Sequence, residues 1–328
     1  MTSFVSLGQM GAVPRPHRTV RRIPWGTATE TPDATGLTAL ACAALFGPDA
    51  YRVGHRSSAV GMPPETGPDV LDERLRNVDL AALRRALVTQ RAQRMGDRGW
   101  LLQRALHLAA WGESCVAALP SAAAAAAITD QQIVDRARDI IASLRTGGDR
   151  DDDQDPLAWR GGLYYGARNQ HRLAVGVQVP WPGGADAAGC ARFAAAYVGR
   201  VGAPGVLVRM LAQRQVPYYA AAALPVREHG TACLSVGLST VAEHVVPLVE
   251  TVRDLLRDIR DAGIPDAQVP HLRQSVALHE AIQPSDDPFQ PGGGGSHVPA
   301  DRRVPAVAVV GDLPEPTVVH LREAVHGW

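Results

Sequence analysis

The chain has 328 residues and a mass of 34.8 kDa, and its 33 basic and 33 acidic side chains leave no formal net charge at pH 7. Every one of those basic residues is Arg, so Schiff-base and P-loop lysine chemistry is excluded, while neutrality argues against a binder held by phosphate contacts. No apolar run approaches the ~20 residues of a membrane-spanning helix, and the length suits one large domain or two of about 160 residues.

The first 25 residues carry Arg15, Arg18, Arg21 and Arg22 but no apolar core of a secretory signal, so the chain is expected to be cytoplasmic. Residues 35–46 form a continuous Ala- and Leu-rich run that reads as a helix. Residues 79–111 read as two helices broken near Gly96–Gly99. Leu101, Leu102, Leu106 and Leu108 in the second could be interface rather than core. The six alanines from Ala122 are compositional. Thr129 and Asp130 can cap a further helix through about Leu144, with Ile133, Val134, Ala137, Ile140 and Ile141 on one face. Residues 146–156 are Gly- and Asp-rich and read as a linker.

The later residues alternate periods. Residues 172–180 place Leu173, Val175, Val177 and Val179 at spacing two, as a strand does. Helices are expected over 185–202 and 206–215. Paired strands follow over 218–226 and 231–239, turning at Arg227 to Gly230. Residues 240–262 carry the clearest helical stripe, ended by Gly263. A helix over 265–282 precedes a Gly- and Pro-rich loop at 284–303, then a strand over 304–310 and a helix over 316–325. The order β-α-α-β-β-α-α-β-α predicts an α+β layer, largely antiparallel, with helices on one face.

Other motifs are weaker. The four cysteines are widely spaced and form no CxxC, so they read as small buried apolar residues. His271 and His279 lie two turns apart on one expected helix beside Glu280, a possible metal pair outnumbered by ordinary surface histidines. Asp151–Asp153 lacks the alternating ligands of a calcium loop, and Gly292–Gly295 lacks P-loop context. Ser114 lacks the second glycine of a nucleophile elbow.

Three segments carry a resemblance. Residues 240–262 followed by Gly263-Ile264-Pro265-Asp266 are like a Gly-Val-Thr-x-x-Glu junction. Leu211 to Tyr219 is like a Leu-Arg-Glu-x-x-Gly-Leu-Ala-Tyr segment. Val307 to Asp312 is like a Val-x-Val-Val-Gly-Asp strand and turn. These resemble the insulinase-like (pitrilysin) zinc metallopeptidases. The resemblance implies two halves, 1–148 and 149–328, each a mostly antiparallel sheet covered by helices, with the first half shortened and helix-rich. It also implies a zinc helix, His-x-x-Glu-His, and a distant third Glu. The corresponding segment, Gly36 to Ala43, is similar to Gly-x-x-His-x-x-Glu-His with Ala39, Cys42 and Ala43 in place of the functional residues. No carboxylate stands at Val88-Thr89-Gln90, where the third ligand would fall. Read without the resemblance, the segment is an ordinary buried helix.

In such families the second half binds substrate, through a paired Arg and Tyr. Tyr219 matches the Tyr, with Tyr218 beside it. The Arg position is Ala212, leaving Arg209 and Arg214 as nearby substitutes. The resemblance therefore implies a non-catalytic subunit, with no cofactor of its own. It would pair with a homologous partner that carries the intact motif and the zinc, around a peptide substrate. Leader-peptide or small-peptide processing in bacteria is one such setting. A non-proteolytic peptide- or protein-binding scaffold on the same fold is the second reading. An unrelated α+β enzyme with an unseen site is the third.

Overall fold

The computed structural model describes residues 19–48, 50–53, 58–63, 65–112, 119–146, 158–181, 187–199, 205–228, 231–282 and 304–328. Most of the Asp-rich segment, the Gly-rich loop, Ser114, Cys115 and the turn at His229-Gly230 lie outside the described residues, as do the side chains of His279 and Glu280.

The chain begins with strand β1 (Thr19–Ile23) and then helix α1 (Leu37–Phe46). Strands β2 (Tyr51–Val53) and β3 (Ser58–Met62) complete a three-stranded antiparallel sheet, β1-β3-β2. The resemblance implied a sheet in this half, but the residue pattern alone reads there as mostly helical and marks none of its strands. Helices α2 (Pro68–Asn77), α3 (Leu80–Gly96), α4 (Arg98–Trp111), α5 (Ala122–Ala127) and α6 (Asp130–Arg145) follow.

Local chemistry sets several of these ends. Asp79 caps α3, and Asp97 caps α4 by accepting from Gly99 N–H at 2.8 Å. Thr129 and Gln132 form a reciprocal capping box on α6. On α6, Ile133, Ala137, Ile140 and Ile141 are buried, as their spacing implies. All ten residues of α1 are buried. A helix apolar all round belongs inside a core, and α1 is surrounded by β3, α2, α3 and α6.

The second sheet has five strands in the order β4-β8-β5-β7-β6. They are β4 (Gly162–Ala167), β5 (Leu173–Pro180), β6 (Ala220–Glu228), β7 (Thr231–Thr240) and β8 (Ala306–Gly311). The β4–β8 pair is parallel and the others antiparallel. Helices α7 (Ala187–Val198) and α8 (Val206–Gln213) join β5 to β6. Helices α9 (Val245–Ala262) and α10 (Val269–Ile282) follow β7, and α11 (Glu315–His326) closes the chain. The protein is thus α+β, with helices and two sheets.

Helices cover both faces of the second sheet, not one. Leu173, Val175, Val177, Leu234, Val236, Val307 and Val309 join one core with α7, α8, α9 and α11. On the other face, Ala308 and Val310 pack with Leu101, Ala105 and Leu106 of α4. Leu101 and Leu106 are therefore core, not free surface; burying each contributes roughly 1.5–3 kcal/mol.

The approach of α4 needs a glycine. A Cβ at Gly176 of β5 would stand 2.7 Å from a Leu106 side-chain carbon. Gly176→Val is expected to lift α4 off the sheet and lower stability by about 1–3 kcal/mol in a urea melt. Gly176→Val paired with Leu106→Ala should recover part of that loss, because the second change opens the space the first one fills.

Candidate functional site

The helix at the position of the zinc helix in the resemblance is α1, where the sequence already lacks the ligands. Ala39, Cys42 and Ala43 occupy the positions where the resemblance calls for His, Glu and His, and all three are buried. Ala39 and Ala43 supply no donor atom. The Cys42 thiol is fully enclosed, and burial, reinforced by nearby Glu30, pushes its pKa far above the ordinary thiol range. Zinc binds a thiolate, so this thiol is a poor ligand. Facing α1, α3 buries Leu87 beside Leu40 and Ala43. The neighbouring Val88, Thr89 and Gln90 bring no carboxylate. These residues do not fit a zinc ion. Among the described residues, no group of three or more His, Cys, Asp and Glu side chains could hold a metal.

What stands at the N-terminus of α1 instead is a charge cluster. The Glu30 carboxylate accepts from Gly36 N–H at 2.8 Å and from Thr38 N–H at 2.7 Å. It thereby satisfies two donors that the helix start leaves open, at the positive end of its dipole. Gly36 adopts φ +94° there, and a Cβ would stand 2.8 Å from Pro120. From α6, Arg136 donates to Thr29 Oγ1 at 2.9 Å and to Thr38 Oγ1 at 3.3 Å, and its guanidinium stacks 4.3 Å from the Trp25 ring centroid. Burial lowers the Arg136 pKa, partly opposed by Glu30 and Asp139. The cluster pins the stretch after β1 to α1 and α6.

The second candidate set lies between α8 and β6. Helix α8 ends in a Schellman-type turn: Val216 N–H reaches Leu211 O at 2.9 Å and Gln215 N–H reaches Ala212 O at 3.1 Å. Gln215 takes the left-handed position, φ 54°, one residue before the Val216 that the resemblance matched to a glycine. Tyr218 is half-buried against the large core, whereas Tyr219 is 60% exposed.

The sequence candidates divide. Arg209 is exposed on α8. Arg214 bonds to Asp254 on α9 at 2.8 Å, with Thr251 Oγ1 at 3.4 Å, which commits it to a structural pairing. The arginine stacked on Tyr219 is Arg172, at the entry to β5, 4.3 Å from the ring centroid. Arg172 Nε also donates to Ser239 Oγ at 2.9 Å, and Tyr219 N–H donates to Ser239 O at 2.7 Å. Ser239 of β7 thus fixes both members of the pair. Sequence reading missed Arg172 because strand pairing, not chain proximity, brings it to Tyr219. The pair presents a guanidinium and a phenol side by side, able to engage a peptide carbonyl or carboxylate.

Asp254 gives a pH test of the Arg214 link. Burial alone would raise its pKa, but hydrogen bonds from Arg214 and Arg253 hold it below the usual carboxylate range. A depressed folded-state value adds stability above the unfolded value, which is lost as pH falls through the folded one. Asp254→Asn is therefore expected to melt below the wild type at neutral pH. The gap should begin to narrow below the ordinary carboxylate value of about 4 and close as pH passes the depressed folded-state value. A gap that persists in acid would count against the ion-pair account.

No family model matches the sequence, and no curated protein matches it. Solved structures do. A chain of complex III2 from Candida albicans, with Inz-5 bound, is similar at TM-score 0.66 and 11% identity, over 93% of this chain and 93% of that one. A peptidase M16 inactive domain from Pseudomonas fluorescens is similar at TM-score 0.59 and 11% identity, over 89% of this chain and 92% of that one. At such identities the likeness establishes the fold, which is the insulinase-like one that the sequence segments imply.

Proposed function

We propose that this chain is a non-catalytic subunit of a heteromeric insulinase-like metallopeptidase, forming part of a peptide-holding chamber. One observation carries the reading: the helix in the place of the zinc helix is buried on all sides and presents Ala39, Cys42 and Ala43. Zinc would reside only in a homologous partner with an intact His-x-x-Glu-His. Small-peptide or leader-peptide processing in a bacterial cytoplasm is the setting that suits such a pair. No helix among the described residues is long and apolar enough to cross a membrane. In the peptide-contact role, Tyr219 acts with Arg172, ahead of Tyr218, Arg209 and Arg214, because Arg172 is the arginine stacked against it.

A non-proteolytic scaffold on the same fold is the second reading, favoured by the likeness to a chain of complex III2. Affinity capture from the native cell, followed by mass spectrometry and a peptide-cleavage assay on the eluate, separates the two. A co-purifying His-x-x-Glu-His protein with chelator-sensitive cleavage supports the peptidase pair, and capture without cleavage supports the scaffold. The purified chain alone is expected to bind no stoichiometric zinc and to cleave nothing. Chelator-sensitive cleavage by the chain alone would overturn both.

A further inference from the structure

Among the described residues, strand β4 is an edge of the five-stranded sheet and pairs only with β8. Gly162 N–H reaches Pro305 O and Arg168 N–H reaches Gly311 O, so the even positions turn toward β8. By the two-residue period of a strand, the N–H and C=O groups of Leu163, Tyr165 and Ala167 turn to the unpaired side. An edge of this kind is a template for an added strand.

Beside that edge runs α4, with a charge that the described residues leave unanswered. Arg104 stacks 5.7 Å from the Trp100 centroid, and its Nη1 is buried without a hydrogen-bond partner. Its electrostatic neighbours are Arg91, a second cation whose Nη1 donates to Leu119 O, and Tyr164 of β4, 36% exposed. Burial and the Arg91 charge lower the Arg104 pKa. Helices α3 and α4 together carry six arginines, and the one acid between them, Asp97, is spent capping α4. A half-buried guanidinium with a cation for a neighbour is costly, and a carboxylate from outside would offset that cost.

We infer that the β4 edge and the Arg104 flank of α4 together form a docking site for an extended partner segment bearing a carboxylate. The segment adds to β4 through Leu163, Tyr165 and Ala167, and its Asp or Glu neutralises Arg104. This goes beyond the reading above and stands whether a captured peptide is cleaved or held.

Two arms test it on the full chain. First, Arg104→Met removes a charge that, among the described residues, has no ionic partner, and keeps an apolar side chain against Trp100, so the free variant is expected to melt at or above the wild-type temperature. A lower melting temperature would mean that the charge is already satisfied within the chain, and overturns the proposal. Second, labelled peptides of alternating Thr and Val around a central Glu, or around Gln, are titrated by fluorescence anisotropy. The Glu peptide is expected to bind about tenfold more tightly, as one charge-assisted hydrogen bond allows. Arg104→Met should erase the difference, while Arg260→Ala, on the exposed side of α9 beside Asp261, should leave it intact. Bound peptide should also slow amide exchange at Leu163, Tyr165 and Ala167. No binding, equal binding of both peptides, or discrimination that survives in Arg104→Met overturns it. So does self-association of the chain abolished by Arg104→Met, which would assign the edge to a second copy.

Discussion

Cys42→Glu is expected to lower stability by more than about 4 kcal/mol, enough to leave much of the protein unfolded or insoluble. The reason lies in the surroundings of α1. Cys42 is fully buried among Ile23, Val60, Leu71 and Ile140, and the one cation that acts on it, Arg136, is already engaged with Thr29 and Thr38 beside Glu30. A glutamate there must bury a carboxylate with no partner bonded to it and with Glu30 as a like-charged neighbour, which costs about 3–5 kcal/mol. It must also fit a longer side chain into packed space, at about 1–3 kcal/mol more. Cys42→Ala removes a single sulfur and should cost only about 1 kcal/mol. Urea unfolding of the two variants measures the contrast. The same logic governs an attempt to rebuild the full motif: His at positions 39 and 43 would enlarge two more buried alanines. A soluble triple variant that binds zinc stoichiometrically would refute the description of α1 as enclosed.

The second large effect is expected at Glu30. Glu30→Ala leaves two N–H groups at the start of a buried helix without their acceptor and removes the anion from the positive end of its dipole. Losing charge-assisted bonds of this kind costs about 2–4 kcal/mol in all. Arg136 loses at the same time the carboxylate that most favours its charge, with Asp139 remaining. Glu30→Gln keeps one acceptor oxygen and the side-chain length, so its loss should be near 1 kcal/mol. If alanine and glutamine cost the same, the carboxylate is acting through its charge alone and not through two directed bonds.

Both effects concern a region whose helix was legible and whose electrostatics was not. The 37–46 helix follows from its unbroken Ala- and Leu-rich run, and α9 follows from Val245, Leu248, Val249, Val252, Leu255, Leu256 and Ile259 at helical spacing. The β5 and β7 strands were readable from alternation, because their large apolar side chains fall on the one face that meets the α7–α9 core. The first sheet was not: β1, β2 and β3 are three to five residues long, and Thr-Val-Arg-Arg-Ile or Ser-Ala-Val-Gly-Met carries too few alternations to show a period. Strand β4 escaped for a similar reason, since its glycines and tyrosines show no apolar stripe. Its partner β8 lies far along the chain. The same remoteness hid Arg172 from Tyr219, whereas Glu30, only six to eight residues before Gly36 and Thr38, escaped because it sits outside the usual cap position. Local patterning reports which residues form an element; it says nothing of which distant side chain is aimed at it.

The placement of α4 has a consequence for how the protein can be taken apart. That helix comes from the earlier part of the chain, yet its apolar side covers Ala308 and Val310 at the far end. Arg160 N–H bonds to Ala110 O, and Trp111 meets Trp159 edge-on at 5.0 Å, so the stretch entering β4 is stitched to the end of α4 as well. A single backbone cut between residues 146 and 158 therefore separates the sequence without separating the packing. The two pieces would hold each other as a folded pair. Either one made alone would leave a bare apolar surface where the other belongs, and would be driven to aggregate or to find its missing half in trans.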